Sequence, residues 1–387
     1  MRRSGRVVDA RPVGTNDSAM TRLVLRTAIA LSLLTACGGE SSQEGSGASS
    51  STSTTPEPPP PPRPLRELVG ETFAPLPEGV ELDMDKVLLG RALYHDRRLS
   101  GDETISCATC HMLDHGGAEP RRVSTGIRGQ QGPINSPTVL NAEHNFVQFW
   151  DGRAADLLEQ AAGPVTNPVE MGGDWDTILG RLRADRDLVA QMTEAYGENA
   201  VSQANVLDAI VQYERSLATP APFDRWLRGD DTALDEAAQR GLRAFIDVGC
   251  TTCHRGVNVG GTMYQRMGLV HDYFERRGGT RTEADLGRFN VTREERDRHM
   301  FKVPTLRNVE LTGPYFHDGS EADLAGAVRT MAYVQLGREL TDAQATDIVA
   351  FLSALTGTLP AHARMPGGDG PAGEAPGGAP AGIAAAG

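Results

Sequence analysis

Cys107-Ala108-Thr109-Cys110-His111 recurs later in the chain as Cys250-Thr251-Thr252-Cys253-His254. Cys-x-x-Cys-His is the attachment signature of c-type haem: two thiols form thioethers with the porphyrin vinyls, and the adjacent histidine supplies the proximal iron ligand. Cysteines three apart sit nearly one helical turn apart on one face, and the next residue turns its imidazole under the iron. The chain has five cysteines, so the two motifs account for all but one. A four-thiolate zinc site pairs its two Cys-x-x-Cys knuckles across a short loop, whereas these lie in different halves of the chain. A thioredoxin-like redox pair needs neither a following histidine nor a second copy. Two covalent haem c groups are the expectation.

A chain of 387 residues has room for two domains. Aromatics make up only 5% while Gly and Pro are abundant, so part of the chain cannot be core, and each haem would add apolar surface to a small helical domain. The formal charge of −13 argues against nucleic acid or an anionic membrane as partner. Arg22 and Arg26 flank or interrupt an apolar run, Leu23 to Leu34, which ends in Thr35-Ala36-Cys37-Gly38. The run is too short to span a bilayer, and small residues before a lone cysteine resemble a bacterial lipoprotein signal. Residues 1–36 therefore read as a signal peptide, with Met20 standing where such a signal would begin. Cys37, the cysteine no haem needs, becomes the lipidated first residue of a periplasmic protein anchored to the outer membrane. Loss of this net-basic leader makes the remainder more acidic still, which suits a small basic electron carrier as partner.

Residues 37–64, Gly/Ser/Thr-rich and then a proline run, read as a disordered tether. Asp83 to Tyr94 has helical apolar spacing and leads through Leu99-Ser100-Gly101-Asp102 into the first motif. A long Gly- and Pro-rich loop, Gly116 to Pro137, is expected to line a cofactor pocket. A helix is expected from Ala154 to Ala162, stopped by Gly163-Pro164, followed by Trp175–Tyr196 and Val201–Leu217. Pro220-Ala221-Pro222 marks a boundary. A helix from Asp235 to Val248 runs into the second motif, 256–303 shows little pattern, and Leu324–Met331 and Thr341–Leu355 close the chain. Helices around each haem with almost no strand signal give a mainly α protein of two class-I cytochrome c-like domains, 65–219 and 220–360. The tail, 361–387, reads as disordered.

With these strings laid out, the chain resembles the bacterial di-haem cytochrome c peroxidase family, which includes MauG-like enzymes. The likeness covers Leu65 to Leu359 and rests on Leu99–Asp102, Ser106–His111, Pro137–Asn141, Phe149–Arg153, Gly163–Met171, Gly249–His254, Lys302–Asn308 and Pro314–Gly319. It implies that the His111 haem binds hydrogen peroxide and that the His254 haem receives electrons from a small cytochrome c or a cupredoxin. It places Met331 as sixth ligand of the second iron, with Met263, Met267 and Met300 as competitors, and a methionine ligand raises the haem potential. It places Glu170 as the acid–base carboxylate, among apolar neighbours that would raise its pKa, and Gln160 as the positioning amide. Trp150 falls between the haems, His317 supports the second haem without ligating iron, and Asn135, Thr312 and Pro314 match an inter-haem calcium site. A homodimer is the family's usual state.

One position departs from the family. Many members carry a distal histidine on the peroxidatic iron after Ser124-Thr125-Gly126, where this chain has Ile127, which cannot ligate iron. The expectation is an open first haem, active without prior reduction, with His115 and His144 the remaining candidates for a sixth ligand. A MauG-like protein-modifying oxidase and a non-catalytic di-haem electron-transfer protein are the alternatives. Met331 stands where the MauG subgroup has tyrosine, and Glu170 with Ile127 weighs against a purely electron-transferring role.

Overall fold

A computed structural model describes residues 63–366. The leader, Cys37, the tether up to residue 62 and the tail from 367 lie outside the described residues.

The described part is mainly helical. Its longer helices are α1 (Met84–Tyr94), α2 (Leu157–Thr166), α3 (Trp175–Arg183), α4 (Arg186–Tyr196), α5 (Gln203–Arg215), α6 (Pro222–Leu227), α7 (Glu236–Val248), α8 (Leu324–Leu336) and α9 (Asp342–Ser353). Most begin on a side chain that accepts an otherwise unpaired amide: Asp83 for α1, Asp156 for α2, Asp174 for α3, Asp185 for α4, Ser202 for α5, Asp235 for α7, Asp323 for α8 and Thr341 for α9. Asp185 also explains why the single helix expected over 175–196 is two. Its carboxylate takes the amides of Asp187 and Leu188, starting a new helix one residue after Ala184. No described helix is long and apolar enough to cross a membrane.

α2 does not stop at Gly163-Pro164 but runs to Thr166 with Pro164 inside it. The following loop folds back onto the helix end, where the Met171 and Gly173 amides donate to the Pro164 and Val165 carbonyls at 3.2 and 2.7 Å. The segment 256–303 contains a two-stranded antiparallel ribbon, β1 (Tyr264–Arg266) and β2 (Met300–Lys302), which pairs Tyr264 with Lys302.

Two large apolar cores and a small third cluster around Tyr273, Phe274 and Val334 form among the described residues. One gathers Val87, Leu93, Ile178, Leu182, Met192, Val206, Ile210 and Tyr213; the other gathers Phe223, Trp226, Leu242, Phe245, Ile348 and Phe351. In each, a helix before a haem motif crosses a later helix at a glycine: α1 meets α5 at Gly90 and α7 meets α9 at Gly241. Two segments sit elsewhere than the expected boundaries place them. Val69 and Phe73, assigned above to 65–219, pack in the second core. Ala363, assigned to the tail, is fully buried in the first, where its carbonyl accepts from Tyr213 Oη at 2.6 Å. Each end of the described chain is thus held by the other half's core. A buried ion pair, Arg307 Nη1 to Asp224 Oδ2 at 2.8 Å, ties α6 to the loop after β2.

Candidate functional site

Cys107–Cys110 forms one helical turn started by Ser106, whose amide donates to Thr109 Oγ1 at 3.0 Å. The His111 amide closes the turn on the Cys107 carbonyl, and Tyr94 Oη of α1 donates to the His111 carbonyl at 2.8 Å. At the second motif α7 ends on Gly249, whose left-handed φ of 104° favours glycine, and Cys250–Thr252 follows as a tight turn. The four cysteines of the two motifs are unpaired. Burial pushes the Cys107, Cys110 and Cys250 thiols up to about 12, so none is a reactive thiolate of the redox-motif kind.

The two histidines have matching environments. Nδ1 of His111 lies 3.3 Å from the Gly117 carbonyl, and Nδ1 of His254 lies 3.3 Å from the Val259 carbonyl. A proton held on Nδ1 by a carbonyl leaves Nε2 with its lone pair for a metal. Burial also favours the neutral imidazole, lowering His111 and taking His254 to about 4.

Each motif opens onto a cavity. That beside Cys107, Cys110 and His111 has a volume of about 150 Å³; that beside Cys250, Cys253 and His254 has about 220 Å³. An apolar cavity with two free thiols on one rim and a lone-pair imidazole in its wall fits covalent haem c.

Glu170, Gln160 and Phe149 line the first cavity together with His111, so the expected acid–base pair and haem ligand share one chamber. Burial pushes the Glu170 carboxyl above its ordinary range, against partial opposition from Arg153 and from Asn167, whose Nδ2 donates to Glu170 Oε1 at 2.8 Å. Ile127 is buried, but its Cδ1 packs against Gly172 and it is not part of the cavity wall; its amide donates to the Glu170 carbonyl at 2.8 Å. Neither His115 nor His144 lines this cavity.

Met331 of α8 and Met267 both line the second cavity with His254, whereas Met263 and Met300 are outside its wall. Trp150, His317, Asn135, Thr312 and Pro314 also border it. Trp150 Nε1 donates to the Asn135 carbonyl at 3.0 Å, and His317 Nε2 sits 2.8 Å from Asp285 Oδ1.

Sequence reasoning missed four residues. Asn167 orients Glu170; it lies in the resembled string Gly163–Met171 and in the turn-forming Asn167-Pro168 pair, and neither gave it a role. Arg153 stacks 3.4 Å over the Phe149 ring at the mouth of the first cavity. Glu214 lines that cavity with its carboxyl raised to about 8 by burial. Lys302 borders both cavities. Arg153 and Lys302 stand at the ends of strings that carry the resemblance, which gave neither a role, and Glu214 stands in no such string.

A family model described as di-haem cytochrome c peroxidase matches residues 84–232. Cytochrome c551 peroxidase of Nitrosomonas europaea is 44% identical over 291 residues, which cover 75% of this chain and 85% of that protein. This chain belongs to the di-haem cytochrome c peroxidase family. Cytochrome c peroxidase Ccp of Escherichia coli is 49% identical over 289 residues, covering 74% of this chain and 61% of the longer relative. Among solved structures, the crystal structure of a MauG-like protein associated with microbial copper homeostasis aligns with a TM-score of 0.65 at 27% identity, covering 73% of this chain and 93% of that one. Membership in a di-haem family accords with the paired motifs and paired cavities.

Proposed function

We propose that this chain is a peroxidase that reduces hydrogen peroxide with two protons and two electrons to two waters, with one haem in each half. The observation that carries the reading is Glu170, held by Asn167 in the same chamber as His111. When bound, haem iron supplies a coordination site for peroxide and a path for electrons. The chain moves the peroxide's own proton: Glu170 would accept it from one peroxide oxygen and return it to the other, which departs as water, while two protons from solvent and the two donor electrons convert the remaining oxygen to the second water. A carboxyl lifted by burial exchanges that proton closer to neutral pH than an exposed one would. Gln160 positions the peroxide.

His254 and Met331, on the wall of one cavity, would hold the haem that takes up electrons, and Trp150 on the same wall would stand on the path towards the other; the donor would be a small cytochrome c or a cupredoxin. Asn135 suits calcium because its Nδ2 donates to the Arg121 and Arg122 carbonyls, leaving Oδ1 as a hard oxygen ligand, and Thr312 and Pro314 on the same cavity wall would add carbonyl oxygens. The working location is the periplasm, with Cys37 as the lipid anchor.

Glu170→Gln tests the mechanism. Peroxide turnover with a reduced donor is expected to fall roughly 10²- to 10⁴-fold, the usual contribution of a general acid–base group, with both haems still attached. Full activity in that variant would falsify the assignment.

A further inference from the structure

Six residues border both cavities: Asn135, Ser136, Pro137, Thr138, Asn145 and Lys302. Lys302 alone among them carries charge. It is 5% exposed, and among the described residues its ammonium has no hydrogen bond or ion pair. Among the described residues no carboxylate acts on it. Asp285 and Asp318 are held by Arg277 at 2.8 and 2.6 Å, and Glu170 is held by Asn167. Glu214 lines the first cavity without pairing to Lys302.

The backbone of Lys302 is fixed. It pairs with Tyr264 in the ribbon, and its amide donates to the Trp150 carbonyl at 2.8 Å. The ammonium is therefore a built feature of the wall between the two chambers. A buried cation without a partner is unfavourable, and burial accordingly lowers its pKa to about 8. An anion entering either chamber would relieve that cost.

We propose that Lys302 is the counter-cation for haem propionates at the wall shared by the two chambers, so that one ammonium tunes the potential of the haem or haems it touches. Each haem c is tied to the chain by thioethers at its vinyl side, and its two propionate carboxylates project from the opposite edge. Those carboxylates are the anions the bound cofactors themselves bring. A cation beside a haem favours the ferrous state, which carries one positive charge fewer, and so raises the potential. Lys302 is in this sense a positioning and electrostatic residue. The inference rests on the two-haem reading and is independent of peroxide turnover.

The test compares holo wild type, Lys302→Gln and Lys302→Arg by optical redox titration, after haem content has been counted for each. Wild type with fewer than two haems would overturn the two-haem reading itself. With two haems present, Lys302→Gln is expected to lower at least one potential by a tenfold or greater change in the reduction equilibrium, about 59 mV for one electron. Lys302→Arg keeps the charge and is expected to stay within twofold of wild type. Equal potentials in wild type and Lys302→Gln would overturn the proposal. If Lys302→Gln fails to load haem, resonance Raman of the wild type decides: propionate bending modes at hydrogen-bonded frequencies support the pairing, and modes at free-carboxylate frequencies overturn it.

Discussion

Ile127 shows how one side chain sets the state of a site it does not touch. The family resemblance set a distal histidine against this position, where the chain has isoleucine. Here the isoleucine is buried against Gly172, and His115 and His144 stand outside the cavity wall. Among the described residues, the other imidazole at this chamber is His111 itself. The first haem is expected to rest without a side-chain sixth ligand, so peroxide turnover should begin without reductive priming. Resting EPR should contain a high-spin component alongside the low-spin signal expected if Met331 ligates the second haem; spectra with low-spin signals alone would defeat the prediction. Cys107, Cys110, His111 and their later counterparts were legible because their chemistry depends on spacing along the chain. Glu170 was legible through its surroundings in a resembled string. Lys302, Glu214 and Arg153 were not, because their roles arise from which distant residues surround them. Lys302 entered the sequence reading only as the end of the string Lys302–Asn308, with no role until both flanking cavities were known.

Helices were legible where apolar spacing and an Asp, Ser or Thr cap agreed, as in α1, α5 and α7. Glycines inside them carried no such message, since an isolated glycine in a helical pattern reads only as a weak point. Gly90 and Gly241 are instead where the helix pairs touch. A Cβ at Gly90 would lie 1.8 Å from the Ala209 carbonyl oxygen, and one at Gly241 1.8 Å from the Asp347 oxygen. Neither oxygen can turn away, because both belong to helix backbone. Alanine gains about 1 kcal/mol in helix propensity over glycine, but overpacking of this kind costs roughly 1–3 kcal/mol, and backbone contact puts these sites at the costly end. Gly241→Ala is therefore expected to lower Tm and haem retention. Gly180→Ala in α3, where a Cβ meets nothing within 4 Å, should leave Tm unchanged or raise it. Thermal denaturation of the two holo variants measures both; equal effects would show that the crossing does not depend on close approach.

At the scale of the molecule, two apolar cores and a dominance of helix followed from the paired motifs, but the exchange of chain ends did not. Val69 and Ala363 sit far from their cores in sequence, and no local pattern assigns a short apolar segment to the distant half. The charge was readable from composition, and its consequence is kinetic. A formal charge of −13 over 387 residues creates a negative field that draws in a basic partner and is screened over about 8–10 Å at ordinary ionic strength. If this field steers the electron donor, oxidation of a small basic cytochrome c should slow on the order of tenfold or more between low salt and 0.15 M, chiefly in the association step. A neutral small-molecule reductant feeding the same haems should show almost no salt dependence, which separates steering from any effect of salt on the site itself. Parallel salt curves for the two donors would mean that the acidity serves solubility and that donor recognition lies in apolar contact instead.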